Sequence, residues 1–276
     1  MTAVNLKKIL TDANKNNYAV AGLVVLGWDD ALAFTQAADE TGIPIILQAG
    51  PSCREHIPVP VLGKMFRYLA EQTKTNVCCH VDHGYSYNEC IEGVDNGFTS
   101  VMFDGSKLKL KDNIKISMKI AQQAHAANVS VEGEVGFVGY DNGKKSLGTD
   151  TNEAIKFAKE SGVDAMAISV GNTHLQQTKK ATIDFDKIYI IEKNTNIPLV
   201  LHGSSGIPNL IRKKLSKTTN VAKFNIGTEL RLIFGKSLRK NLENNVNLYD
   251  RLKILTPIIK DIKIQTKKII KQIGPS

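Results

Sequence analysis

The segment Asn76-Val77-Cys78-Cys79-His80-Val81-Asp82-His83-Gly84 and the segment Ser100-Val101-Met102-Phe103-Asp104-Gly105-Ser106 enclose a stretch of helical period, 86–96, followed by Gly97. This reads as strand, helix, strand. Each apolar, β-branched run gives way to polar residues and a glycine, and Gly97 suits the position after a helix end. Working outward, the same unit recurs. Strands are expected at 19–25, 43–47, 76–80, 100–103, 130–135, 165–169, 198–201 and 222–226, with helices at 29–40, 61–72, 86–96, 114–127, 152–161 and 186–194. Eight β/α units predict an α/β fold, a single (β/α)8 TIM barrel spanning 1–276 as one domain. A doubly wound sheet competes, but it would have fewer strands and a glycine-rich first turn, which this chain lacks. A helix at 4–15 is expected to close the barrel bottom, and a helical extension follows the last strand.

Composition narrows the class of function. The 276 residues are 42% hydrophobic and 23% charged, with a net charge of +9. The apolar run 19–27 is far short of the ~18 residues a membrane span needs. The N-terminus lacks a basic segment leading into an apolar one. A soluble chain in a reducing cytoplasm is expected, with Cys53, Cys78, Cys79 and Cys90 as reduced thiols. The positive charge is unevenly placed: residues 207–276 carry 16 Lys+Arg against 4 Asp+Glu, whereas the first 206 carry 20 against 23. Those lysines alternate with Ile and Leu, as in Ile258-Ile259-Lys260-Asp261-Ile262-Lys263, the spacing of amphipathic helices with solvated lysine faces. A phosphate-bearing ligand nearby is the second reading; neither nucleic acid nor a membrane is expected as a partner.

In such barrels function gathers where strands end. Four of the six histidines fall there, and His83, His174 and His202 come from three different strands. Three neutral imidazoles that leave a fourth position open suit a catalytic Zn²⁺. His80 lies inside its strand and is expected to pack or to support the site from behind the ligands; His56 and His125 are expected to be bland. Asp82 precedes His83, so the two would face opposite sides unless the strand has ended there. A carboxylate beside a metal is a candidate proton carrier, and its plainer role would be to orient a histidine or cap the next helix. Glu132 and Glu134 share a strand face, where their burial demands a cation or hydrogen bonds; a metal offers that compensation, with Asp104 a further oxygen donor. Gly203 with Ser205, and Asn225 with Gly227 and Thr228, follow the seventh and eighth strands, the usual anion position, although glycines there also serve turns.

Taken in order, these blocks resemble the class II, metal-dependent fructose-bisphosphate and tagatose-bisphosphate aldolases. The matching segments are His80 to Gly84, Gly97 to Ser106, Val129 to Gly136, Pro198 to Pro208 and Asn225 to Leu230. The resemblance implies reversible aldol cleavage of a phosphorylated ketose, fructose 1,6-bisphosphate-like, to dihydroxyacetone phosphate and an aldehyde. It implies a catalytic zinc on His83, His174 and His202, with Glu134 and Asp104 at an alternative or second metal position. Asp82 would be the proton carrier, and Gly203, Ser205, Asn225, Gly227 and Thr228 would embrace the phosphate and hydroxyls. Some relatives add a second divalent or a monovalent cation, and a homodimer or homotetramer is implied. The chain departs from the family at Leu175, where a glycine is usual, and at Val24, near a usual asparagine. It departs again at Gly50, where a serine is usual and Ser52 could substitute. In the loop 139–145, a usual glutamate has only Asp141 as its nearest counterpart. These departures suggest aldol chemistry on a different ketose or aldehyde. A metal-dependent hydrolase and a non-catalytic relative binding metal or sugar phosphate are the remaining readings.

Overall fold

The computed structural model describes residues 2–141 and 143–275. Asn142, part of the 139–145 loop, lies outside the described residues. The chain runs α1 (Leu6–Lys15), β1 (Val20–Val24), α2 (Trp28–Thr41), β2 (Ile45–Ala49), α3 (Pro51–His56), α4 (Val59–Gln72), β3 (Val77–Gly84), α5 (Tyr87–Asp95) and β4 (Ser100–Phe103). It continues with α6 (Leu110–Ala126), β5 (Ser130–Val135), α7 (Thr151–Glu160), β6 (Ala165–Ile168), α8 (Phe185–Asn194) and β7 (Leu199–Leu201). A short 3-10 turn (Ser204–Gly206), α9 (Asn209–Thr218), β8 (Val221–Ile226), α10 (Thr228–Asn244) and α11 (Arg251–Ile273) complete it. The strands close into one parallel barrel in sequence order, β8 pairing β1.

Two apolar layers follow from strand parity, which a register shift of β8 against β7 breaks at Ala222. Outward residues such as Ala21, Leu23, Ile45, Leu47, Val131 and Phe224 pack against the ring of helices. Inward residues at the lower end, Val20, Ile46, Cys78, Met102, Ala165, Ala167, Val200 and Ala222, pack against Leu6, Ile9, Leu10 and Ala13 of α1. Helix α1 therefore plugs the bottom, as expected, and Asn5 caps it by accepting from the Lys8 N–H. All four cysteines are free and buried, and burial pushes their thiols up, Cys53 to about 11.

The last helix shows what the C-terminal charge does. Ile258, Ile262, Ile269, Ile270 and Ile273 of α11 are buried, while Lys253, Lys260, Lys268 and Lys271 face solvent. Lys263 and Lys267 reach Glu40 of α2 at 2.6 and 2.7 Å. Among the described residues no helix is long and apolar enough to cross a membrane.

One strand differs from expectation in a way that shapes the site. β3 does not stop at residue 80 but runs to Gly84, carrying Asp82 and His83 within it. Val81 pairs Val101 and Gly84 pairs Phe103, so two residues of β3 oppose the single Met102 of β4. That is a bulge, and it re-aims side chains.

Candidate active site

The barrel mouth opens into a cavity of about 440 Å³ whose walls include Asp82, His83, His174, Gly203, Ser205, Asn225, Gly227 and Thr228. At the bulge His83 takes a positive φ of 53°. That turn lets Asp82 and His83, adjacent in sequence, both reach the cavity. Arg54 of α3 secures the segment from outside. Its guanidinium donates to the carbonyls of Ala49 and Asp82, each at 2.6 Å, and of His83 at 3.0 Å.

Nitrogen atoms of His83, His174 and His202 lie within 4.8 Å of one another. A second group, His83 with Asp104 and Glu134, meets the same limit and shares His83. His83 Nδ1 is 2.9 Å from Asp104 Oδ2 and 3.8 Å from Glu134 Oε2. Ser106 Oγ donates to the other Asp104 oxygen at 2.6 Å. His202 Nδ1 and Glu134 Oε2 are 3.5 Å apart, buried, and without a hydrogen-bond partner among the described residues. Buried polar atoms of native proteins are rarely left unpartnered. Two that converge beside imidazoles and carboxylates fit a divalent cation.

The electrostatics agree. Burial lowers His174 to about 3 and His202 well below the ordinary value, with the charge on His83 adding to it. Both imidazoles are neutral and able to ligate. Burial opposes the charge on His83 too, but Asp82, Asp104 and Glu134 outweigh it and raise His83 to about 9. Glu134 is raised well above the carboxylate range, by burial first and then by Asp104. Burial would raise the Asp82 carboxyl, but the positive groups around it, His83 foremost, outweigh that and lower it. Positive charge is thus favoured at the meeting point of these carboxylates.

The residues expected to bind an anion also come together. Gly203 has φ +60°, and a Cβ there would lie 2.2 Å from the Thr173 carbonyl oxygen, so only glycine lets the β7 loop pass this close to the β6 loop. Ser205 Oγ accepts from the Glu229 N–H at 3.1 Å, tying this loop to the first turn of α10. That 17-residue helix starts at Thr228 after Gly227, which has no side chain to cap it, and both residues line the mouth. Asn225 donates to Asp82 Oδ1 at 3.2 Å, linking the anion end to the carboxylate.

The structure gives partners to two carboxylates that the sequence left open. The cation beside Glu132 is Lys223, whose Nζ lies 2.6 Å from its Oε2, and His202 Nε2 lies 3.0 Å from its Oε1. Asp141 does not line the cavity. Its carboxylate faces Lys180 at 4.0 Å, and Tyr140 stacks on the His174 ring instead, centroids 5.1 Å apart. His80 supports the site from behind, as read, donating or accepting at Ser100 Oγ over 2.9 Å. His56 and His125 lie outside the cavity, His125 paired to Asp164 at 2.8 Å.

Three of the departures from the family pattern, Leu175, Val24 and Gly50, touch the mouth. Leu175 lines the cavity at φ +57° and is 50% exposed. Val24 packs over Gly227, 3.1 Å from where a Cβ would stand. Gly50 leaves open the space beside Asp82, and Ser52 borders the same cavity. Residues that sequence reasoning passed over are Lys223, Arg54 and Arg231, the last at the outer wall. Lys223 had a usable signal: it sits two positions before Asn225, and strand parity puts both inside the barrel.

Residues 4–276 match the family described as fructose-bisphosphate aldolase class-II. A fructose-bisphosphate aldolase of Staphylococcus epidermidis is 32% identical over 284 aligned residues, covering 100% of this chain and 99% of that protein. A 6-phospho-5-dehydro-2-deoxy-D-gluconate aldolase of Bacillus licheniformis is also 32% identical, covering 100% of this chain and 96% of that one. The crystal structure of the YdjI aldolase from Escherichia coli K12 superposes with a TM-score of 0.87 at 25% identity, over 99% of this chain and 98% of that one. The match along nearly the whole chain, with relatives of full length, means that the chain belongs to the class-II fructose-bisphosphate aldolase family and is an aldolase, a carbon–carbon lyase.

Proposed function

We propose that this chain is a zinc-dependent aldolase that cleaves a phosphorylated ketose, fructose 1,6-bisphosphate-like, to dihydroxyacetone phosphate and an aldehyde, and runs the reverse condensation. The observation that carries this reading is one cavity lined by Asp82, His83 and His174 together with the five residues Gly203, Ser205, Asn225, Gly227 and Thr228. His83, His174 and His202 would hold the ion, with Asp104 and Glu134 offering a second position around the shared His83. The chemistry supplied by a divalent ion there is Lewis acidity, which stabilises the oxygen charge that develops when the bond β to the ketone breaks.

The remaining work falls to side chains and backbone. Gly227 and Thr228 at the start of α10 and the Gly203–Ser205 turn bind the phosphate of the ketone half. In cleavage, Asp82 takes the proton from the hydroxyl of the carbon that leaves as aldehyde; in condensation it returns that proton. Asn225 holds Asp82 in place through its 3.2 Å hydrogen bond. The barrel with its flanking helices acts as one domain, in the cytoplasm, within carbohydrate metabolism such as glycolysis, and as a homodimer or homotetramer.

A second reading keeps this chemistry but changes the acceptor aldehyde. Leu175, Val24 and Leu26 give the cavity apolar walls away from the anion loops. Measuring metal content together with exchange of the dihydroxyacetone phosphate C–H proton in deuterated water tests both. Exchange with cleavage of fructose bisphosphate supports the first; exchange without it supports the second. No bound metal and no exchange would overturn both.

A further inference from the structure

Beneath the cavity, inside the barrel, lies a row of polar side chains that never reaches solvent. His80, Glu132, His202 and Lys223 are each 0% exposed. Ser100 Oγ is 2.9 Å from His80 Nδ1; His80 Nε2 is 3.3 Å from Lys223 Nζ. Lys223 Nζ is 2.6 Å from Glu132 Oε2, and Glu132 Oε1 is 3.0 Å from His202 Nε2. The row ends at His202 Nδ1, which has no partner among the described residues and faces Glu134 Oε2 at 3.5 Å.

An ammonium has three donors and no acceptor, so Lys223 fixes the direction of every link on either side of it. Toward His80 it donates to Nε2, which leaves the ring proton on Nδ1, pointing at Ser100. Toward Glu132 it donates to Oε2 and supplies the countercharge that a carboxylate in the barrel interior requires. That carboxylate can only accept, so its Oε1 takes the proton of His202 Nε2. The lone pair of His202 is then left on Nδ1, on the cavity side.

We propose that Lys223, acting through Glu132, is a positioning residue that locks His202 in the Nε2–H tautomer and so presents Nδ1 as a ready ligand. The proposal rests on the reading of His202 as a metal ligand. Outer partners of ligating histidines commonly carry this duty. Here the partner carboxylate is itself polarised by a donor-only group from the opposite wall of the barrel. An alternative arrangement, with a neutral group in place of Lys223, would leave Glu132 free to protonate and donate to His202 Nε2, moving the ring proton to Nδ1.

The geometry distinguishes a positioning role from plain packing through one pair of nearly isosteric changes. In Glu132→Gln, the ammonium of Lys223 still demands an acceptor, so the amide oxygen turns toward Lys223 and the amide nitrogen toward His202 Nε2. His202 must then carry its proton on Nδ1. In Glu132→Gln with Lys223→Met, the ammonium is gone. The amide nitrogen can then face His80 Nε2, 3.6 Å from the Oε2 position, and the amide oxygen can again accept from His202.

The experiment uses the full-length chain, labelled with nitrogen-15 at histidine and stripped of metal by chelator. Long-range proton–nitrogen spectra read the His202 tautomer, and chelator competition reads zinc affinity. The expected results are the Nε2–H form in the unsubstituted protein and Nδ1–H in Glu132→Gln, with zinc affinity lowered about 10–100-fold. The double variant should regain the Nε2–H form and most of that affinity. Unchanged zinc binding in Glu132→Gln, or a double variant as weak as the single one, would overturn the proposal. If neither variant folds, the unsubstituted protein still decides: a His202 proton found on Nδ1 overturns it. An unsubstituted protein that binds no zinc would instead remove the metal reading on which the proposal rests.

Discussion

Asp82 and His83 are consecutive residues of β3, yet both line the barrel mouth, with Asp82 Oδ1 4.0 Å from His83 Nε2. A regular strand would send them to opposite faces. The bulge against Met102 and the left-handed backbone at His83 overcome that alternation, and the three Arg54 hydrogen bonds hold the result. In the proposed function, ligand and proton carrier therefore come from one strand end.

Asp82→Ala separates the two. The ligand set stays intact, so the metal content should match the parent protein. Turnover should fall by ~10²–10⁴-fold, the range for a positioned acid–base group. Parallel metal analysis and steady-state kinetics check this, and an unchanged rate would mean that Asp82 only orients its neighbours.

His202→Ala removes a buried imidazole and leaves Glu132 and Glu134 facing each other across the gap. Activity should disappear and zinc affinity should fall by more than the roughly 10–100-fold that outer partners account for. Chelator competition on the purified variant measures it. Retained zinc stoichiometry at unchanged affinity would count against His202 as a ligand.

Leu175 stands in a left-handed conformation that costs a non-glycine residue about 1–2 kcal/mol, and its side chain narrows the cavity. Leu175→Gly relieves the strain but frees the unfolded chain, so stability should change by less than about 1 kcal/mol. Acceptor choice should move more: kcat/KM should rise roughly 10-fold or more for aldehydes that Leu175 obstructs, the scale of small steric changes in a pocket. A panel of acceptors in the condensation direction provides the measurement, and an unchanged panel would show that Leu175 does not select.

Glu40 accepts from Lys263 and Lys267, hydrogen bonds that hold its carboxyl at about 2. Its folded-state value lies below the ordinary one, so its contribution is complete above the ordinary carboxylate range and lost as pH falls toward 2. The site is on the surface, so the effect is modest and weakened by salt. Acid unfolding of Glu40→Gln followed by circular dichroism should be flatter below pH ~4 than that of the parent; identical profiles would show that the α2–α11 clamp does not contribute.

Much of the fold was legible before any coordinates. Apolar runs and helical periods marked all eight strands, because strands buried on both faces admit little else. The boundary furthest from expectation was the end of β3, where Asp82, His83 and Gly84 look like a loop. Polar side chains at a barrel mouth can remain in a strand when a bulge turns them toward one another. The three histidines and the glycine-containing turns after β7 and β8 were legible for a similar reason: in this architecture, strand ends converge on one face.

What the sequence determined by itself is therefore the barrel, its plugged bottom, and the set of residues gathered at the top. What only the tertiary structure decided is which groups neutralise which. Glu132 and Lys223, 91 residues apart, meet across the barrel and not across a metal. Asp141 turns to Lys180 while Tyr140 takes the place beside His174. Periodicity is a property of neighbours along the chain, and it survives without coordinates. Charge pairing inside a closed barrel depends on distances of a few ångströms between strands far apart in sequence, and only closure of the sheet sets them.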